Sequence, residues 1–254
     1  MKCAVIGLGE VGSRYAAALL ENGHDVVGYD PVITEVPGAQ IADSPAAAVT
    51  GADAVLVMTG AAIAPAIVDA TIGHLTPGCT YLDLTSASPS VMAELGERVD
   101  GAGAHFVDVA VLGPVSVHGA RTPVMIAGRE TDVAAGLFTA FGAEVDVLAG
   151  AAPGQAMAHK LLRSVFMKGL AAIICEAMEA AEAAGLSDWT RAQVANQLAG
   201  DGNAVIDRFR TGSKVHAKRR AQEMRDTSSY LADLGVPNTM STASAEYLTN
   251  LGAR

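Results

Sequence analysis

The sequence predicts an α/β chain in two parts. A doubly wound, mostly parallel sheet covers residues 1–152, an all-α domain covers 153–254, and one long helix joins them. Three observations carry this reading. Short β-branched runs alternate with helical patterns up to residue 148, strand signals vanish beyond it, and a glycine-rich turn separates the first strand from the first helix. Strands alternating with helices imply βαβ units and a sheet covered on both faces. With 254 residues, half of them hydrophobic, the chain can bury the core that such a plan needs.

Lys2–Ile6 is apolar and β-branched and reads as the first strand; 11–21 has helical spacing. Asp25–Tyr29, 54–58 and 80–84 read as the next strands, with helices over 63–73 and 89–99. Strands at 105–109, 124–127 and 144–148 and a helix at 131–141 complete the first part. The Gly/Ala/Pro stretch 150–154 reads as a hinge. Residues 155–184 then run without proline and with one glycine, Gly169, long against the usual 11–12 residues of a globular helix. Gly185 is placed to stop that helix, and Ser187 to cap one starting at Asp188. Further helices are expected over 214–234 and 241–251, the first closed by Gly235 and Pro237.

The formal net charge is -10, and no long Lys/Arg run occurs. Such a chain is a poor match for a phosphate backbone, so nucleic acid is not an expected partner. Apolar stretches are broken by charge or by Gly/Pro, so no membrane span is expected. Cys3, Cys79 and Cys175 lie far apart and are odd in number, which argues against a disulfide framework. They read as three buried thiols of a cytoplasmic protein. The six histidines form no zinc-type spacing, so no metal is expected, and no hydrolase elbow occurs.

The turn Gly7-Leu8-Gly9-Glu10-Val11-Gly12 follows a strand and opens a helix. Its glycines permit a tight turn, close approach of a pyrophosphate, and close helix–strand packing; the helix N-terminus offers free N–H groups to phosphate. This predicts a Rossmann-type dinucleotide site. Asp30 ends the second strand, 23 positions after Gly7, where a carboxylate accepts from ribose hydroxyls. A 2′-phosphate would meet like charge there, and no Lys or Arg occurs between Arg14 and Arg98, so NAD is expected over NADP. Met58, Thr59, Gly60, Thr85 and Ser86, at the ends of later strands, are expected to line the same crevice. A turn role serves these residues equally well.

The run from Gly7 to Asp30, with Gly23-His24-Asp25-Val26 before the second strand, resembles the start of the β-hydroxyacid dehydrogenase superfamily, which includes 6-phosphogluconate and 3-hydroxyisobutyrate dehydrogenases and imine reductases. Asp83-Leu84-Thr85-Ser86-Ala87-Ser88-Pro89 is similar to that family's D-x-S-T-x-x-P segment. Gly154-Gln155-Ala156-Met157-Ala158-His159-Lys160 is similar to its G-x-x-x-x-x-K helix start. The resemblance implies the two-domain fold read above and makes Lys160 the catalytic acid/base. Three departures stand out. The D-A-P-V-S-G-G loop is here 108–114, with Leu112 at the substrate serine and Gly113 beside it. Ser164 replaces an asparagine one turn after the lysine, and the late K-D pair falls on Gln222-Glu223. Residues 112–123, 160–169 and 219–224 look more like a 6-phosphogluconate-dehydrogenase-like bacterial subgroup.

Hydride transfer from an alcohol needs a group that takes the hydroxyl proton. Lys160, at the start of the long helix, is the residue expected to do so. Ser164, at i+4, shares its face and is expected to bond the substrate hydroxyl or hold the ammonium. Arg121 and Arg163 are candidate contacts for an acid group. Lys214, His216, Lys218, Arg219, Arg220 and Arg225 form a dense positive patch, which is either a solvated helix face or an anion clamp. Asp83 and Asp108 close strands and read as turn caps. The expected function is an NAD-dependent oxidoreductase acting on a small acidic substrate, a hydroxy acid. An NAD(H)-binding sensor and a reductase of imines or carbonyls are the alternatives. About 100 helical residues make a thin core, so a homodimer through the helical domain is expected.

Overall fold

The computed structural model describes residues 1–253. It divides into two compact units, Met1–Arg163 and Ser164–Arg254. In the first, the strands are β1 (Lys2–Ile6), β2 (Asp25–Tyr29), β3 (Gln40–Ile41), β4 (Ala54–Val57), β5 (Thr80–Asp83), β6 (His105–Val111), β7 (Val124–Gly128) and β8 (Val145–Val147). The helices are α1 (Glu10–Glu21), α2 (Pro45–Val49), α3 (Ala64–Thr71), α4 (Pro89–Gly101), α5 (Val115–His118) and α6 (Asp132–Ala140), followed by the first turns of α7 (Gln155–Ala183).

The eight strands form one sheet in the order β3-β2-β1-β4-β5-β6-β7-β8. Every pairing is parallel except β6 with β7. The 112–123 connection holds only the short α5 and a 3-10 turn, and the chain returns antiparallel beside β6. Strand order reverses between β1 and β4, and in such sheets the crevice outside the carboxyl ends at this point receives the ligand.

Each face of the sheet carries its own core. On one, Tyr15 packs edge-on against Phe138 and Phe141, with Leu19, Leu56 and Ile126. On the other, Tyr81 stacks on Phe106 with centroids 5.8 Å apart, among Ile6, Val57, Met92 and Leu95. The strands are therefore continuously apolar rather than alternating, as burial on both faces requires. β1, β2, the sheet's central strands and helices α1, α4 and α6 lie where the residue pattern puts them. The short β3, α2 and α5 carry too few residues for a periodic signal.

The second unit holds the rest of α7, then α8 (Ser187–Leu198), α9 (Gly202–Val215), α10 (Ala217–Asp233) and α11 (Thr239–Gly252). Two expectations are corrected here. The run 214–234 is not one helix: His216 leaves helical geometry, ending α9 and opening α10. The break lets Ala217 turn inward, where its Cβ lies 3.1 Å from the place a Cβ on Gly252 would take. Ser187 is not a cap but the first helical residue of α8, whose N-cap is Leu186. Cys175 departs from the expected burial as well: it faces outward on α7, whereas Cys3 and Cys79 are buried.

The buried residues of this unit are mostly small, namely Ala181, Ala217, Ala221 and Ala245 with Leu231. One carboxylate ties its helices together. Glu176 on α7 accepts from the N–H groups of Met240 and Ser241, both at 2.7 Å, and from the Ser241 hydroxyl at 2.6 Å. Burial alone would raise its pKa, but these three donors outweigh burial and hold it below the usual glutamate value. The native state thus binds the proton more weakly than the unfolded chain, so Glu176 stabilises the fold above the usual glutamate pKa and loses that effect as pH falls below it. Glu176→Ala is expected to cost about 1–3 kcal/mol in denaturant unfolding at neutral pH, with the difference from wild type shrinking in acid.

Candidate active site

The dinucleotide loop joins β1 to α1 across the switch point. A Cβ on Gly12 would fall 1.7 Å from the Gly7 carbonyl oxygen, so only glycine lets α1 start this close to the strand. A Cβ on Gly9 would meet nothing within 4 Å, leaving open space over the loop. Gly9 is the N-cap of α1 and provides no side-chain cap, so the first-turn amides retain donor capacity. Leu8 is buried, Val11 half-buried, and Glu10 turns outward to pair with Arg14 at 3.9 Å.

Asp30 follows β2 and faces this loop. One carboxylate oxygen accepts from the Leu8 N–H at 2.8 Å; the other accepts from Val32 and Ile33 at 2.8 and 3.0 Å. Burial pushes its pKa up, but the three N–H donors overcome that and lower it, so Asp30 is an anion at neutral pH. A carboxylate has about four acceptor sites and three are taken, so about one is left for a hydroxyl donor. Beside it a groove of about 470 Å³ runs between Gly9, Ser13 and Ile33–Pro37. Open space over Gly9, uncapped amides and an anionic Asp30 together fit a dinucleotide. Met58 and Thr59 follow β4 on the same edge, half-buried, with Gly60 exposed.

Past β5, Thr85 is buried and Ser86 exposed. Lys160 Nζ donates to Ser86 Oγ at 3.0 Å. Two features bring the lysine there. A Cβ on Gly154 would fall 2.3 Å from the Pro89 carbonyl oxygen, so α7 begins hard against the start of α4. Asp108 Oδ2 accepts from the N–H groups of Gly154 and Met157 at 2.9 and 3.1 Å, fixing the first turn of α7.

Asp108 pairs in register with Asp83 on the adjacent strand, and both are wholly buried. Desolvation raises both carboxyls, Asp83 to about 6, and the Asp108 charge reinforces the effect on Asp83. At Asp108 the amides of Met157, Gly154 and Ala156 and the Lys160 charge work the other way. The reading of these residues as plain turn caps missed this pair. The available signal was a carboxylate in each of two strands otherwise free of Asp, Glu, Lys and Arg, at the end of β5 and within β6, a costly burial that needs a reason.

Leu112 is half-buried against the Tyr81 face of the core, and its N–H bonds the Pro123 carbonyl at 2.8 Å; Gly113 is exposed. Arg121 lines a groove of about 530 Å³ with Arg14, Glu21, Asn22 and His118 on the flank of α1. Arg163 is exposed and Ser164 half-buried on α7. In the helical unit Arg219 pairs with Glu223, Arg220 donates to Ser213 Oγ at 2.9 Å, and His216 occupies the α9–α10 break.

The family model described as the NAD binding domain of 6-phosphogluconate dehydrogenase matches residues 2–150. A second, a domain of unknown function (DUF1932), matches 181–251. The mitochondrial 3-hydroxyisobutyrate dehydrogenase of Mus musculus is 28% identical over 210 residues, 77% of this chain. The chain belongs to the β-hydroxyacid dehydrogenase superfamily. It spans 61% of the length of that mouse enzyme. Two solved structures of the same fold are similar throughout. An imine reductase of Streptomyces aurantiacus has a TM-score of 0.81 at 18% identity, covering 100% of this chain and 96% of its own. The 3-hydroxyisobutyrate dehydrogenase of Mycobacterium tuberculosis, with L-serine, has a TM-score of 0.69 at 20% identity, covering 99% and 94%. The match makes residues 2–150 an NAD(P)-binding domain. Among the described residues, no group of three His, Cys, Asp or Glu could hold a metal, and no helix is long and apolar enough to cross a membrane.

Proposed function

We propose that this protein is an NAD-dependent dehydrogenase of a small hydroxy acid, with Lys160 moving the proton of the substrate hydroxyl. The observation that carries the reading is the Lys160–Ser86 contact of 3.0 Å, at the strand edge that also holds the glycine loop. Gly7–Gly12 and the first amides of α1 hold the pyrophosphate, and Asp30 holds the adenosine ribose. A nicotinamide bound there would accept or supply the hydride. Lys160 takes the hydroxyl proton in oxidation and returns it in reduction. Ser86 keeps the ammonium aimed while no substrate is present. Arg163, one helical turn beyond Lys160 on α7, is the candidate for holding the acid group, which an arginine can grip bidentately.

NAD is favoured over NADP because Asp30 is an anion and no basic side chain stands near it in sequence to meet a 2′-phosphate. NADH is expected to bind at least about tenfold more tightly than NADPH, with Asp30→Ala narrowing the ratio; tenfold corresponds to about 1.4 kcal/mol. Fluorescence titration of the two cofactors checks this. The partner is taken to be a second copy of the chain, through the helical unit. Val165, Phe166 and Trp189 are 76%, 62% and 64% exposed there, beside an apolar groove that includes Leu198 and Phe209. A sedimentation mass of one chain across micromolar concentrations would end that part of the reading.

The activity is tested by following NADH formation from NAD over a panel of 2- and 3-hydroxy acids and sugar acids. Turnover of at least one acid is the expected result. Tight NADH binding with no turnover across the panel would favour the sensor alternative.

A further inference from the structure

Two buried carboxyls at one sheet edge need a physical account that turn capping does not supply. Asp83 and Asp108 are register partners on parallel strands, so their side chains leave the same face of the sheet. Each has one oxygen engaged, Asp83 by the Thr85 N–H and Asp108 by the amides of α7. Each has its other oxygen buried outside any close hydrogen bond, and the side-chain donor beside them is the buried Thr85 hydroxyl at Asp83. A buried unpaired carboxylate oxygen is costly, and two of them side by side repel. A single shared proton relieves both costs.

The engaged oxygens point to what the pair does. The Asp83 turn carries Thr85 and Ser86, and Ser86 receives the lysine ammonium. Asp108 grips the first turn of α7, one turn before Lys160, and its charge interacts with that of Lys160. Among the described residues Lys160 is the one cation whose charge bears on either carboxyl; Arg98 of α4, which packs on β6, acts on Tyr81 instead. In register with Asp83, β4 contributes Val57; in register with Asp108, β7 contributes Ala127. Along β5 the nearest ionisable group is Tyr81, whose hydroxyl is neutral over any working pH because burial raises it. Lys160 is thus the cation that α7 sets against the pair.

We propose that Asp108 is a positioning residue for Lys160, fixing the helical turn before it and acting as its counter-charge, and that Asp83 and Asp108 do this as one ionisable pair sharing a proton. The proposal builds on the reading of Lys160 as the group that moves the proton. Its test is chosen to stand whether or not that reading holds, since it follows the lysine's own titration in the full chain without substrate.

Lysine labelled with 13C and 15N at the side-chain end gives one titrating signal for each residue, and Lys160→Met assigns the one of interest. In Asp108→Asn the Lys160 midpoint is expected to fall by about one pH unit or more, the usual effect of removing an opposite charge nearby. Coupling is reciprocal, so Lys160→Met is expected to raise the carboxyl midpoint of the pair, read by 13C, by the same amount. Should Asp108→Asn not fold, that second arm still decides. Asp83→Asn is expected to lower the midpoint of the remaining carboxyl, because the proton is no longer shared. A Lys160 midpoint unmoved in Asp108→Asn, or a carboxyl midpoint unmoved in Lys160→Met, overturns the positioning role. An unmoved carboxyl in Asp83→Asn overturns the pair. Neither result bears on whether Lys160→Ala abolishes turnover.

Discussion

Lys160→Ala is expected to lower kcat by about 10²–10⁴-fold while leaving the NADH dissociation constant within about threefold. The expectation follows from what the lysine touches. Its ammonium meets Ser86 at the end of β5, while the groups proposed to hold the dinucleotide lie on the glycine loop and Asp30. The alanine variant therefore removes the proton carrier and leaves the cofactor cradle intact. Steady-state kinetics with whichever acid the panel identifies, beside a cofactor titration, separates the two terms. A kcat within about threefold of wild type would remove Lys160 from the chemistry. Loss of cofactor binding as well would mean that the lysine supports the fold or the cradle instead.

The second large effect is expected at the glycine loop, where two neighbouring glycines should respond in opposite ways. Gly12→Ala would set a methyl 1.7 Å from the Gly7 carbonyl oxygen, with backbone on both sides of the clash. The loop or the helix must shift, and a cost beyond about 4 kcal/mol with loss of NADH binding is expected. Gly9→Ala places its methyl in open space, on a backbone with φ of -60° that suits any residue. Its thermal stability is expected to match wild type within about 2 °C. Its NADH affinity is expected to drop by about tenfold or more, because the methyl stands where the pyrophosphate approaches the backbone. Thermal melts and fluorescence titration of the two variants read both effects. If Gly9→Ala binds NADH normally, the pyrophosphate does not lie over this loop.

The contrast between those two glycines shows what was legible in the sequence. The G-x-G-x-x-G turn reads well because its constraints are local: a strand, a turn and a helix within a dozen residues. The continuous apolar strands and the long α7 read for the same reason. The register that puts Asp108 beside Asp83 did not, because it depends on pairing between residues 25 positions apart. The grip of Asp108 on Gly154 and Met157 spans nearly twice that separation and leaves no periodic trace. The break at His216 was hidden because no proline and no adjacent glycine marks it; there Ala217 packs against Gly252. Arg121 illustrates the same limit, since nothing in its loop says that the side chain lies along α1.

The most direct test of the central claim uses NADH carrying deuterium at C4 and a panel of carbonyl acids. Transfer of deuterium to the product carbon in wild type, with little or none in Lys160→Ala, is the predicted result. Tight NADH binding in wild type with no deuterium in any product, on an enzyme that also fails to oxidise any hydroxy acid, would contradict the account.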